Sequence, residues 1–238
     1  MSEAGAEVYI TKLVAAKRQL RAAIRFFFCR EDELAVHTVG AAAYNLLREL
    51  KATRRGDETE DRLKTLFLGL MSLAQALQAG KLPDWAAKDT HLLEVLRSIS
   101  EKILPTERLD ISSINVTIGE STRKSFWKDN NRVANFLKHA NKDADLFIST
   151  SDIDNLSLLV AAANSYESVA PDDLGFEGLV LTLYFLASLD SEIDDTYPFS
   201  EQVCKLREMS RDERMAFCDY QLRRPRPASI EWPPPGGA

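Results

Sequence analysis

Arg132 and His139 stand seven residues apart in the segment NRVANFLKH. Seven residues are close to two turns of an α-helix, so both side chains project from one face, with Asn135 and Lys138 on or beside it. A guanidinium so placed can stabilise the charge on a phosphate, and an imidazole that titrates near neutral pH can move protons. Arg132 and His139 are therefore the candidate catalytic pair. The structural alternative is that His139 closes the helix, where the dipole favours a cation. A second row lies earlier in the chain. His37, Tyr44 and Arg48 follow one another with Ala41 at helical spacing, and with Asn135 and Lys138 they are the candidate ligand-binding residues. The third histidine, His91, has Asp89 and Glu94 nearby and reads as a solvent-facing polar residue.

Metal chemistry has less support. Glu33 with His37 and His139 with Asp143 are i,i+4 pairs that could aim two ligands at one ion, but the Glu-x-x-His spacing of carboxylate-bridged di-iron bundles is absent, so no metal is assigned. There is no glycine-rich nucleotide loop, nucleophile elbow or zinc knuckle, and no cofactor is expected. Cys29, Cys204 and Cys218 lack CxxC spacing, which argues against a disulfide framework and for a reducing, cytoplasmic compartment. No apolar run approaches the ~18 residues a membrane helix needs, and the amino terminus lacks the pattern of a secretory signal.

The elements that must position these residues read as helices. Apolar residues recur at helical spacing from Glu7 to Phe28, with Lys17, Arg18, Arg21 and Arg25 on other faces. Asp32 is the expected N-cap of a second helix, Glu33 to Thr53, whose Gly40-Ala41-Ala42-Ala43 run permits close helix approach. A third helix spans Arg62 to Gln78 and is closed by Gly80, and a fourth runs from Ala87 to Ile103. Further helices are expected over Arg123 to Ala140, with an interruption near Asp129 and Asn130, and over Asp152 to Ser168, capped by Ser151 or Asp152. The last two span Phe176 to Leu189 and Arg211 to Gln221. Alternation at Ile114, Val116 and Ile118 suggests a short two-stranded ribbon pairing 109–118 with 145–149. The fold class is all-α, a bundle of about six to eight helices in one domain, 1–222. A Pro/Gly-rich flexible tail, 223–238, carries five closely spaced prolines that a proline-reading partner could engage.

With 238 residues, 45% of them hydrophobic, the chain can close a core. The formal charge of −6 rules out a global field that would recruit nucleic acid or an anionic membrane. The charge is unevenly spread: residues 1–55 hold 10 basic and 6 acidic side chains, and 143–210 hold 2 and 14. A basic groove beside an acidic flank is one consequence to look for.

The blocks RQLRAAIRFFFCREDELAVHTVGAAAYNLLREL (Arg18 to Leu50) and NRVANFLKHANKDAD (Asn131 to Asp145) resemble those of a widespread, largely uncharacterised bacterial family of small helical proteins. The Arg-x6-His spacing of Arg132 and His139 is also similar to the Arg-x4-6-His signature of HEPN domains. There, two helical bundles commonly dimerise to form a metal-independent ribonuclease site, and many members are toxins or antiphage effectors. That resemblance implies that Arg132 stabilises the scissile phosphate and that His139 acts as acid or base on the RNA 2′-hydroxyl. It also implies a homodimer. This sequence departs from the pattern in placing Val133, rather than a polar residue, directly after the arginine. The residues favour a non-enzymatic interaction or ligand-binding module with a protein partner. A HEPN-like ribonuclease or RNA-binding protein is the alternative.

Overall fold

The computed structural model describes residues 9–55, 60–102, 120–139, 145, 147–189 and 197–224. Among them there are eleven α-helices and no strand: α1 (Lys12–Phe28), α2 (Glu33–Arg55), α3 (Glu60–Gln78), α4 (Asp84–Ala87), α5 (Thr90–Ser100), α6 (Glu120–Asn130), α7 (Arg132–Lys138), α8 (Asn155–Val169), α9 (Phe176–Ser188), α10 (Ser200–Glu208) and α11 (Arg211–Arg223). A 3₁₀ turn, Thr150–Asp152, precedes α8. The chain is all-α, and no helix among the described residues is long and apolar enough to cross a membrane.

Local chemistry sets the first hairpin. Thr11 Oγ1 accepts the Val14 amide to start α1. The helix stops in a left-handed residue, Arg30, at φ 58°. There the Glu31 and Arg30 amides return to the Phe26 and Phe27 carbonyls and satisfy two helix-end acceptors. Asp32 Oδ1 then accepts the Leu34 and Ala35 amides at 2.9 and 3.1 Å, capping α2 as the sequence predicts. The turn between the helices is thus fixed at both sides, and α1 and α2 pack along their lengths. Gly80 closes α3 in the same way, at φ 68°.

The core is built on α8 and α9, whose apolar residues face several neighbours at once. Leu159, Ala161 and Ala162 are completely buried, and α8 packs against α1, α2, α3 and α9. Gly40 lets α2 come close: a Cβ there would lie 3.2 Å from Leu159 Cδ2. Phe28 of α1 meets Tyr184 of α9 edge-on at 5.2 Å. On the far side α10 and α11 cover α9, while α3 and α5 pack together, with a small second cluster around Leu68 and Met71.

Three expectations change. The helix expected from Ala87 to Ile103 begins later, at Thr90, because Asp89 turns aside and caps α5 through the Leu92 amide, and Ala87 instead ends the short α4. The helix from Asp152 to Ser168 begins later, at Asn155. Ser149 and Asp152 form a capping box around the 3₁₀ turn, and Asp154 caps α8 through the Ser157 amide. The segment 123–140 breaks at Asn131, one residue beyond the expected site, and α6 already begins at Glu120. Helix α10 has no counterpart in the sequence reading. Of the proposed ribbon, 109–118 lies outside the described residues, and Phe147 to Ser149 form no ladder. Residues 225–238 of the tail likewise lie outside, and α11 reaches Arg223.

Candidate interaction groove

His37 projects from α2 into the core and is 3% exposed. Its Nδ1 lies 3.1 Å from Asn155 Oδ1, and Asn155 Nδ2 donates to the Glu33 carbonyl at 3.0 Å. Burial lowers the His37 pKa, opposed by the Asn155 contact, and the nearby Arg62 guanidinium lowers it further. A neutral imidazole held in this way ties the start of α8 to the first turn of α2.

Tyr44 and Arg48 lie farther along α2. Trp127 of α6 stacks on Tyr44, with ring centroids 6.4 Å apart and planes 25° apart, and the Arg48 guanidinium sits 4.6 Å from the centre of the same indole. These two predicted ligand residues instead dock α6 through a cation–π stack. Arg62 of α3 completes this interior. Burial lowers its pKa, and Tyr44 and Asp154 act in the opposite direction.

The Arg132 side chain is half exposed and ion-paired with Asp152 Oδ2. His139 lies beyond the last turn of α7, at φ −125° and ψ 70°, with its amide bonded to the Asn135 carbonyl at 3.1 Å. It is exposed, as are Asn135 and Lys138. The two-turn face predicted for Arg132 and His139 therefore spans the whole of α7, about 10 Å at ~1.5 Å per residue, and its arginine is already paired. His37 and Arg132 are both attached to the 152–155 turn, through Asn155 and Asp152. Asp143 lies outside the described residues. Among the described residues no group of three or more His, Cys, Asp or Glu could hold a metal ion.

The same turn also lines a large concavity, through Ile153, Asp154 and Asn155. It has a volume of about 1310 Å³ and runs between the α1–α2 turn, the segment 147–156, the end of α9 and the start of α11. That exceeds the ~300–1,000 Å³ usual for small-molecule pockets, so it suits an extended ligand. Phe27, Phe136, Ile153 and Leu156 supply half-buried apolar lining. Two large side chains project from its walls into solvent: Phe147, 86% exposed, and Trp85, 63% exposed.

Three helices begin at this groove, α2, α8 and α11, so three positive dipole ends point towards it. Each is met by a carboxylate of the chain itself: Asp32, Asp154, and Glu213 in a capping box with Ser210. The Ser210 contacts also lower the Glu213 pKa. Two of the three lining arginines are engaged too. Arg30 pairs with Asp212 at 2.7 Å, and Arg214 Nη1 donates to the Ala187 carbonyl at 2.6 Å. Glu31, Asp32, Glu33 and Asp154 leave one rim acidic, which repels a polyanion and favours a basic ligand.

Sequence reasoning missed Trp85, Trp127, Phe147 and Asn155. The available signals were a tryptophan directly after Pro83-Asp84 for Trp85 and the short apolar run Leu146-Phe147-Ile148 between polar residues for Phe147, both in short segments without helical period. No family model matches the chain, and neither a curated protein nor a solved structure matches it.

Proposed function

We propose that this chain is a non-enzymatic interaction module whose groove binds an extended peptide segment bearing basic and apolar side chains. The observation that carries the reading is the combination of exposed Phe147 and Trp85 with an acidic rim around one large apolar-floored concavity. Aromatic anchors beside half-buried apolar floor provide affinity, and rim carboxylates provide selection and steering. The test is selection from a random decapeptide pool on the full chain. The reading expects enrichment of peptides that combine Arg or Lys with Pro or aromatic residues, and loss of that enrichment in a Phe147→Ala, Trp85→Ala double variant. A pool that stays unenriched contradicts it.

The HEPN-like ribonuclease is the second reading, favoured by the solvent exposure of both Arg132 and His139. It requires a second copy to complete the site and release of Arg132 from Asp152. Cleavage of mixed RNA with EDTA present, lost in both Arg132→Ala and His139→Ala, supports that reading over the peptide groove.

A further inference from the structure

We propose that the groove selects its peptide by the order of its charges: Arg211 receives a single carboxylate of the ligand, while Glu31 and Glu33 receive its basic side chains. The inference rests on the peptide-groove reading above and names what that site selects. It starts from the lining charges that the fold already uses. Arg30 pairs with Asp212, Arg214 donates to the Ala187 carbonyl, and Asp32 and Asp154 cap α2 and α8. Glu31, Glu33 and Arg211 also line the groove and are exposed, and among the described residues their side chains make no ion pair or hydrogen bond. The unengaged charge is therefore negative where α2 begins and positive where α11 begins.

The Arg30–Asp212 ion pair brings these two ends within reach of one short ligand. Glu31 follows Arg30 and Arg211 precedes Asp212, so each unengaged charge is one residue away from that 2.7 Å contact. An extended peptide advances ~3.3 Å per residue, and the ~30 Å of a decapeptide covers both. A guanidinium binds a carboxylate through two parallel N–H···O bonds, which adds direction to affinity. Asp212 and Glu213 follow Arg211 directly, so a doubly charged phosphate would meet two carboxylates there and is disfavoured against a singly charged group. A peptide lying the other way round sets its cation against Arg211 and its carboxylate against Glu31 and Glu33. Like charges so juxtaposed select against it, and the groove reads direction as well as composition.

The experiment uses the full chain and two synthetic random decapeptide pools, one ending in a free carboxylate and the other amidated. Enrichment confined to the first pool identifies the ligand's own chain end as the group at Arg211. Enrichment in both pools, with Asp or Glu at a constant spacing and on a constant side of Arg or Lys, identifies a side chain. Enriched basic, apolar peptides without any preference for a carboxylate overturn the charge-order inference alone, and no enrichment from either pool overturns the peptide-groove reading itself. A second arm reverses the charge. Arg211 is the first residue of α11, where the helix dipole favours a carboxylate, so Arg211→Glu preserves the fold. That variant is expected to bind the best wild-type peptide about tenfold more weakly. It should regain affinity for an amidated version in which Lys replaces the selected acidic or terminal residue, while Arg132→Ala changes neither affinity. Equal binding of the original peptide by wild type and Arg211→Glu, or no gain from the Lys replacement, overturns the inference.

Discussion

The seam between α1 and α9 and the groove at the α1–α2 turn are both rich in charge, yet they spend it differently. Along the seam, Lys17, Arg21 and Arg25 recur every four residues on α1 and meet acids from the far side of the core. Lys17 bonds Asp172 at 2.6 Å and the Asp173 carbonyl at 2.8 Å, and Tyr166 donates to the same Asp172 carboxylate at 2.9 Å. Glu177, buried near the start of α9, receives Arg21 at 2.7 Å and Arg25 beside it. Here the three basic side chains join α1 to α9 and to the loop before it. Around the groove, carboxylates cap the chain's own helices while large aromatic side chains stand in solvent. One region is organised for cohesion and, on the proposed reading, the other presents its surface to a ligand, so substitutions should separate stability from binding.

The largest expected effect is on the seam. Glu177→Ala removes a buried acceptor shared by two arginines and should destabilise the fold by about 2 kcal/mol, below the ~3–5 of a fully buried pair because both arginines can turn to water. Urea denaturation measures it, and peptide affinity of the folded fraction should not change. The groove should give the converse result. Phe147→Ala with Trp85→Ala should shift stability by less than about 0.5 kcal/mol while weakening the selected peptide at least tenfold, about 1.4 kcal/mol.

His37 tests whether the turn joining the two regions is structural. Its native pKa is lowered by burial among Arg62, Asp154 and Asn155. The unfolded chain therefore binds more protons in the interval between that lowered value and the ordinary 6.5. Stability should be fully present above pH 6.5 and decline as pH falls through that interval. His37→Gln should be less stable at pH 7.5 but show a flatter profile down to pH 5.5, and an unchanged slope would count against the buried neutral imidazole. Arg132→Ala is expected to have the smallest effect, under about 1 kcal/mol, since its ion pair with Asp152 is half exposed. Thiol labelling adds a check on the core: burial pushes the Cys218 thiol up to about 12. Cys204, which is exposed, should react in the folded state, and Cys218 only on unfolding.

The elements most legible in the sequence are those whose own residues carry the signal. Asp32 and Gly80 end or begin helices through bonds within a few residues, so local chemistry was enough to place them. The apolar run of α9 announced a buried helix for the same reason. Helix α10 was missed because only Val203 and Leu206 face the core, and its other positions are mostly Glu, Gln, Lys and Arg. The candidate site was less legible. Helical spacing correctly put Tyr44 and Arg48 near one another, but it could not supply Trp127, which arrives from α6 and turns that pair into a packing contact. Nor could it show that Asp152 would reach Arg132, or that the chain would leave the helix at His139. The groove joins segments from distant parts of the chain, so no spacing rule could reveal it.

The most direct test of the account compares four full-length variants, Phe147→Ala, Trp85→Ala, Arg132→Ala and His139→Ala, for binding of the selected basic, proline-containing peptide by fluorescence anisotropy. The groove account predicts severalfold weaker binding in the first two and wild-type affinity in the last two. Wild-type affinity in Phe147→Ala and Trp85→Ala, with loss in Arg132→Ala and His139→Ala, would contradict it and move the functional surface to α7.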